Sequence, residues 1–251
     1  MQKIVGLVRR CVDDYHMIAD GDKIAVGVSG GKDSLVLLVL LAELRRYHPK
    51  HFTLEALTID MGLGGMDFSG VQALCDRLEI PYTCIKTEIG PIIFDYRKEK
   101  NPCSMCAKMR RGALNEALLA RDIHKIALGH HHDDAVETFL MSLFYEGRIS
   151  CFQPVTYLDR TGVTQIRPML YVPEQTVVHL AQRLELPVVH NTCPADKNTK
   201  RQEVKDLIVS LQAMYPDLKT KLFGAMQRFP LPAWEADLYH RQKERGEQTT
   251  K

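Results

Sequence analysis

Short runs of β-branched and apolar residues alternate along the chain with longer stretches in which apolar residues recur every three or four positions. The runs predict buried strands, and the three-to-four spacing predicts helices with one apolar face. The predicted strands are Lys23–Val28, Thr53–Ile59, Tyr82–Lys86, Lys125–Leu128 and Val163–Ile166. The predicted helices among them are Asp33–Tyr47, Phe68–Leu78, Ser104–Ala120, Ala135–Tyr145 and Glu174–Leu186. This alternation is typical of a parallel, doubly wound α/β sheet.

The pattern changes after Asn198, where only helical spacing remains, over Arg201–Met214 and Leu218–Arg228. Pro230 and Pro232 then end regular structure, because proline has no backbone N–H to donate. The predicted organisation is therefore an N-terminal helix (1–22), an α/β domain (23–190), a C-terminal segment with a helical extension (191–234) and a polar tail (235–251).

Composition places this 251-residue chain among ordinary soluble globular proteins, with 45% apolar and 25% charged residues. No apolar run approaches the length of a membrane span. Arg9, Arg10, Asp13 and Asp14 stand where a signal peptide would be apolar. We therefore expect a cytoplasmic protein. Seven cysteines, an odd number, favour reduced thiols over a disulfide framework.

The formal net charge is only +2, so any basic surface for nucleic acid must be local. Two groups of basic residues are candidates. One consists of Lys108, Arg110 and Arg111, and the other of Lys197, Lys200, Arg201 and Lys205. Each group also has the composition of a solvated helix face, so charge alone does not assign a partner.

A glycine-rich turn, Ser29-Gly30-Gly31-Lys32-Asp33-Ser34, joins the first predicted strand to the next helix. Glycines let the backbone approach a phosphate, and the helix N-terminus, the two serine hydroxyls and Lys32 can all bind it. The Asp33 carboxylate would repel a phosphate unless a divalent cation bridged them, so we expect Mg²⁺. Val26 and Asp33 exclude a Walker A loop. The structural alternative is an N-cap serine beside a glycine turn.

A second glycine-containing turn, Gly129-His130-His131-His132-Asp133-Asp134, follows the fourth predicted strand. Gly129 would let the backbone meet a nucleotide. A histidine metal site is disfavoured, because neighbouring residues on a strand face opposite ways. The structural alternative is a capping box that joins Asp133 or Asp134 to Glu137.

These two turns resemble motifs of the PP-loop ATP pyrophosphatase family. Ser29–Ser34 resembles its SGGxDS signature, and Gly129–Asp134 its GHxxDD motif. The resemblance implies the PP-loop fold of adenine-nucleotide alpha-hydrolases. It also implies that ATP is split between its α- and β-phosphates, which leaves AMP on a substrate oxygen, and that Gly129 and Asp134 contact ATP.

Cys103 and Cys106 stand where an extended, charged stretch, Asp95–Asn101, meets a helix. Their spacing suits a metal or cluster, since a thioredoxin-like pair would directly follow a strand. Cys193 is the best third ligand, because its polar loop can return over the active-site edge. A [4Fe–4S] cluster with one open iron fits these thiols, and so does structural zinc completed by His190.

Three segments are similar to the tRNA 2-thiocytidine synthetase branch of the same family: Pro102–Gly112, Gly129–Asp134, and Asn191-Thr192-Cys193 followed by Arg201-Gln202. The resemblance spans about residues 20 to 230 and implies a [4Fe–4S] cluster held by Cys103, Cys106 and Cys193. Arg110 and Arg111 could then reach the ATP phosphates or the tRNA backbone.

The leading hypothesis is an ATP-dependent tRNA sulfurtransferase that adenylates the C2 oxygen of a cytidine and then replaces this oxygen with sulfur from the cluster. The resemblance implies that the cytidine is at position 32 of the tRNA. Lys32 and Arg111 would neutralise phosphate charge, Asp33 would position Mg²⁺, and Asp134 would complete the catalytic set. A cysteine desulfurase or another donor would supply sulfide, and a homodimer stays open. Two alternatives remain. One is a PP-loop ligase or thiolase on another substrate, such as tRNA uridine, with structural zinc, and the other is a non-catalytic nucleotide-binding module.

Overall fold

A computed structural model describes residues 1–96, 102–190, 192–193, 200–228 and 234. The strands in this part of the chain are β1 (Asp22–Gly27), β2 (Phe52–Asp60), β3 (Tyr82–Lys86), β4 (Lys125–Ala127), β5 (Val155–Leu158) and β6 (Val163–Ile166). The helices are α1 (Gln2–Asp14), α2 (Lys32–Arg45), α3 (Ser69–Arg77), α4 (Ile89–Pro91), α5 (Pro102–Leu119), α6 (His132–Met141), α7 (Glu174–Arg183), α8 (Lys200–Met214) and α9 (Leu218–Arg228). π-helical turns continue α4 over Ile92–Tyr96 and α6 over Ser142–Glu146.

The strands form one sheet in the order β3-β2-β1-β4-β6-β5. All neighbours pair in parallel except β5 and β6, which form an antiparallel hairpin at one edge. The five predicted strands and the doubly wound fold are confirmed. The exception to parallel pairing is this edge hairpin, in which β5, a four-residue strand outside the predicted set, runs antiparallel to β6.

Helices cover both faces of the sheet, as a doubly wound fold requires. Ile24 and Val26 of β1 join the larger apolar cluster, whereas Ala25 between them joins the smaller one on the opposite face. The second half of α5 covers the smaller cluster through Leu118. Most of α2 is buried in the larger cluster, which explains why it is apolar on every side.

The terminal segments share the larger cluster. α1, α8 and α9 contribute Val8, Ile208 and Phe223 to it, and the buried Trp234 donates from its indole nitrogen to the Phe152 carbonyl at 3.0 Å. The domain boundaries stay predictions, and the predicted polar tail (235–251) lies outside the described residues. None of the helices in the described ranges is both long and apolar enough to cross a membrane.

The strand order places a topological switch point between β1 and β4. The chain leaves β1 toward β2 on one side of the sheet, and β4 lies on the other side. In open α/β sheets the crevice at the carboxyl ends of two such strands is where ligands bind. The two glycine-containing turns follow β1 and β4, so the fold brings them together at this crevice.

Candidate functional site

The turn after β1 is closed by its own serines. Gly30 has φ +85°, and a Cβ there would lie 2.8 Å from the Cβ of Val189, so only glycine fits. The Ser34 hydroxyl donates to the Gly31 carbonyl at 2.8 Å and accepts from the Ser29 amide at 3.2 Å. In this structure the hydroxyls of Ser29 and Ser34, which were predicted to bind phosphate oxygens, form hydrogen bonds within the loop at the start of α2.

The turn after β4 packs directly on this loop. A Cβ on Gly129 would stand 3.1 Å from the carbonyl carbon of Asp33 and 3.1 Å from the amide nitrogen of Ser34. The absence of a side chain at Gly129 therefore lets its backbone contact the backbone of Asp33 and Ser34, whereas the sequence suggested contact with a nucleotide. The two motifs form one structural unit.

His131 joins the same two motifs through its side chain. Its Nδ1 accepts from the Asp134 amide at 3.4 Å, and its own amide donates to Asp134 Oδ2 at 2.9 Å, which makes a capping box at the start of α6. The capping box therefore pairs His131 with Asp134, and the predicted alternative, which paired Asp133 or Asp134 with Glu137, is wrong. Because Nδ1 accepts, Nε2 carries the hydrogen, and it lies 3.7 Å from Asp33 Oδ1.

Lys32 is the first member of a larger set of charge contacts. Its Nζ lies 3.0 Å from Asp33 Oδ1 and 3.4 Å from Glu174 Oε1. Lys205 then contacts Glu174 at 3.2 Å and Glu137 at 3.5 Å. Burial alone would lower the pKa of Lys32, but the two carboxylates beside it hold that pKa above its usual value.

Arg201 completes these contacts into a closed ring. Its guanidinium lies 3.1 Å from Glu137, 3.3 Å from Asp134 and 3.3 Å from the Thr138 hydroxyl. Burial raises the pKa of Glu137, which is 2% exposed, although Lys205 and Arg201 oppose that rise. We call this set the charge ring; its members, in order of contact, are Lys32, Glu174, Lys205, Glu137, Arg201, Asp134, His131 and Asp33.

The charge ring contains Glu174, which the sequence does not single out, because nothing around this first residue of α7 separates it from an ordinary surface residue. The ring also gives Lys205 of α8, a member of the candidate basic group, two carboxylate partners. The candidate basic group on α8 is therefore not free to bind another partner, because Arg201 and Lys205 are paired within the ring and Lys200 pairs with Glu203. Lys197, the fourth member of that group, lies outside the described residues.

The three consecutive histidines face three different neighbours. The His130 ring packs on Phe152, with centroids 4.8 Å apart, and burial lowers its pKa to about 4. His132 stacks on Phe223 at 4.5 Å, and burial lowers its pKa as well. His131 lies between the two aspartates described above.

The cysteines form a second region at the carboxyl end of β2. Cys103 is exposed at the start of α5, and Cys106 is half-buried with its Sγ 3.5 Å from the Met61 sulfur. Burial raises the pKa of the Cys106 thiol; Cys193 and Cys103 raise it further, and Arg110 opposes them. Cys193 is held near by its neighbour Thr192, whose hydroxyl donates to the Gly64 carbonyl at 3.1 Å.

The donor chemistry of this region fits an iron–sulfur cluster. Cys103 and Cys193 both lie close enough to Cys106 for their charges to act on its thiol, and three cysteine thiolates can hold such a cluster. Within the described ranges no group of three or more His, Cys, Asp or Glu side chains is already gathered to hold a single metal ion. The predicted extended stretch before the pair is wrong at Asp95 and Tyr96, which end a π-helical turn, and residues 97–101 lie outside the described part.

Arg111 forms no ion pair with the charge ring or with the cysteine region. It is exposed on α5, and no ion pair joins it to another described residue. The structure therefore does not bring Arg111 into contact with Lys32 or Asp33, the other predicted catalytic residues nearest the phosphate loop.

Comparison with known proteins extends these findings. The sequence profile of the PP-loop domain matches residues 6–211. The chain is 38% identical over 222 residues to a protein of Pelobacter propionicus named tRNA-cytidine(32) 2-sulfurtransferase, covering 87% of this chain and 82% of that one. It is 35% identical over 231 residues to a protein of the same name from Coxiella burnetii, covering 90% and 89%.

A solved structure is similar over most of the fold. It is the U34-tRNA thiolase NcsA from Methanococcus maripaludis with its [4Fe–4S] cluster, which matches with a TM-score of 0.69 and 28% identity over 86% of this chain and 75% of that one.

Proposed function

We propose, because the chain belongs to the PP-loop domain family, that it is an ATP-dependent tRNA sulfurtransferase. In this reaction the C2 oxygen of cytidine 32 is replaced with sulfur. The observation that carries the proposal is that one fold holds both a phosphate loop at the switch point and three neighbouring cysteines, Cys103, Cys106 and Cys193. The two relatives described above are both named for this reaction, and the similar solved structure is a tRNA thiolase with a cluster.

The phosphate-loop crevice suits the first step, which activates the base. The C2 oxygen attacks the α-phosphorus of ATP, the bond to the β-phosphate oxygen breaks, and pyrophosphate leaves. Lys32 and the N-terminus of α2 supply positive charge for the leaving group. The Asp33 carboxylate beside Lys32 would position Mg²⁺, and Asp134 would act by holding His131 and Arg201 in place.

The cysteine region suits the second step, in which sulfide attacks C2, the C–O bond breaks and AMP leaves. Sulfur enters already reduced, so the displacement needs no electrons. Cys103, Cys106 and Cys193 would hold a [4Fe–4S] cluster, which when bound supplies an iron with an open coordination position for the sulfur source. A cysteine desulfurase or another sulfide donor would feed it, in the cytoplasm where tRNA is modified.

The proposal is tested by anaerobic purification followed by reaction with ATP, Mg²⁺, sulfide and unmodified tRNA. We expect a brown protein that contains iron and sulfide, release of AMP and pyrophosphate, and 2-thiocytidine in the nucleoside digest by mass spectrometry. A colourless protein with stoichiometric zinc would contradict the cluster. If the product is thiouridine, the substrate base is a uridine and not cytidine 32. If no AMP forms in the presence of tRNA, the protein is a non-catalytic nucleotide-binding module.

A further inference from the structure

The outer face of α5 over residues 103–112 is basic, and no carboxylate in the described part of the chain pairs with it. Lys108, Arg110 and Arg111 are exposed, and none of them forms an ion pair with another described residue. The other exposed positions between 103 and 112 are small and carry no carboxylate. They are Cys103, Ser104, Ala107 and Gly112.

This face differs from several other exposed basic positions of the molecule. Arg9, Arg46 and Lys200 each lie within 3.5 Å of a carboxylate three or four residues away. Three cations without an ion pair to a described residue, within four positions of one helix, make a local patch of positive potential, although the net charge of the chain is only +2.

Helix geometry gives the two adjacent arginines different neighbours. Arg110 follows Cys106 by one turn, and its charge acts on that thiol. Lys108 and Arg111 are three residues apart and therefore share a different stripe of the helix, together with Ser104. Lys108 and Arg111 are thus free to meet an external anion beside the cysteine region.

An exposed aromatic ring borders the same helix. Tyr96 is 84% exposed and ends the π-helical turn Ile92–Tyr96. That turn packs on α5, because Ile93 and Phe94 share an apolar cluster with Met105 and Met109. A solvent-facing tyrosine on an element packed against a helix with unpaired cations supplies the two kinds of group that bind single-stranded nucleic acid, in which cations hold phosphates and aromatic rings stack on unpaired bases.

The composition of this face favours RNA over a protein partner. Protein interfaces have bulky apolar anchors at their centre, whereas the exposed positions of this helix between 103 and 112 are only cations and small residues. Small residues also let a sugar-phosphate backbone approach closely.

We propose that Lys108 and Arg111, together with Tyr96 on the turn packed against their helix, hold the phosphates and an unpaired base of the tRNA loop next to Cys103 and Cys106. This inference rests on the proposed function, because it takes tRNA as the substrate. It separates Arg111 from the ATP site and assigns it to RNA binding.

The test is the salt dependence of tRNA binding by the cluster-loaded protein, measured by fluorescence anisotropy with unmodified tRNA. In the double variant Lys108→Gln/Arg111→Gln we expect about tenfold weaker binding, and a slope of log K against log salt that is smaller by about 1.4, from about 0.7 for each lost phosphate contact. Tyr96→Ala should weaken binding without changing the slope, because it removes no charge.

Arg160→Gln is the matched control. Arg160 is exposed in the turn that joins β5 to β6, at the end of the sheet opposite the switch point. It should leave affinity and slope unchanged, and iron content and ATP affinity should stay at wild-type values in all four proteins.

Wild-type affinity and slope in the double variant would overturn the inference while leaving the proposed function intact, provided that the wild type still thiolates tRNA. If binding is unchanged but sulfur transfer from a cysteine desulfurase is lost, the surface belongs to the donor protein, and the inference is equally wrong. A wild type that neither binds nor thiolates tRNA would overturn the proposed function itself.

Discussion

Gly129 and Asp33 touch backbone to backbone: a Cβ on Gly129 would stand 3.1 Å from the Asp33 carbonyl carbon. This distance is too short for an ordinary carbon contact, so Gly129→Ala must push the phosphate loop away by a few tenths of an ångström. Because the loop amides and Lys32 must meet phosphates at hydrogen-bond distances, we expect about tenfold weaker ATP binding, or about 1.4 kcal/mol. Isothermal titration calorimetry of both proteins with ATP measures this change in affinity directly.

Gly6→Ala is the control for that substitution. Gly6 lies within α1, and nothing stands within 4 Å of a Cβ built there. ATP affinity should be unchanged, and the helix should gain up to about 1 kcal/mol of stability. Equal ATP affinity in the Gly129→Ala variant would show that the two turns do not depend on each other.

Arg201→Gln should destabilise the fold and weaken ATP binding together, because it opens the charge ring at the buried Glu137. Losing one partner of a buried carboxylate costs about 3 kcal/mol or more. Since Arg201 is 39% exposed and Lys205 remains beside Glu137, we expect about 2 kcal/mol in urea unfolding. Lys200→Gln changes the neighbouring residue, a 64% exposed cation paired with Glu203, and should cost less than about 0.5 kcal/mol. Equal losses in both variants would mean that the ring contributes nothing specific.

Cys103→Ala should abolish thiolation without unfolding the protein, because Cys103 is exposed and supports no part of the core. Iron content and visible absorbance should fall, while thermal stability of the metal-free protein stays unchanged. Cys84→Ala, which alters a half-buried cysteine of β3, is the matched control and should keep its iron. Full thiolation in the Cys103 variant would refute its assignment as a ligand.

The pair of Asp133 and Lys219 should make stability depend on acid pH. Burial alone would raise the pKa of Asp133, but hydrogen bonds from Lys219 at 2.6 Å and from the Glu174 amide at 2.7 Å outweigh it and hold that pKa below its usual value. The pair's contribution is therefore present above the usual aspartate range, near pH 4, and is lost as the pH falls through the lowered pKa.

Lys219→Met should cost about 3 kcal/mol at pH 7, because Asp133 is buried and loses its cation. The difference from wild type should shrink toward zero well below pH 4, where the carboxyl is protonated in both proteins. Urea unfolding at several pH values measures it, with the exposed Lys221→Met on the same helix as control. A constant difference across pH would contradict the ionic origin of the effect.

Local motifs made part of the site predictable. Gly30 and Gly129 stand out because tight turns demand glycine, and Cys103 with Cys106 stands out because of its spacing. The partners of Lys32 could not be found in this way. Glu174 is 142 residues from Lys32, and only the folded sheet brings the start of α7 to the phosphate loop.

The edge hairpin shows the same limit for the fold. The composition of β5, Val-Thr-Tyr-Leu, suits a strand, but none of its residues is fully buried and its strand character depends on pairing with β6. Its position is set by pairing with β6 rather than by its own side chains. The helices were predicted well because their apolar spacing extends over ten residues or more.

The charge ring has a consequence for which form of the nucleotide can enter. Leaving the histidine aside, its carboxylates Asp33, Asp134, Glu137 and Glu174 outnumber its cations Lys32, Arg201 and Lys205 by one. A bare triphosphate would meet an excess of like charge at the crevice and would have to displace carboxylates from Lys32. A nucleotide that arrives with its own divalent counter-ion would avoid this repulsion, so we expect the resting site to bind metal-complexed polyphosphates better than uncomplexed ones.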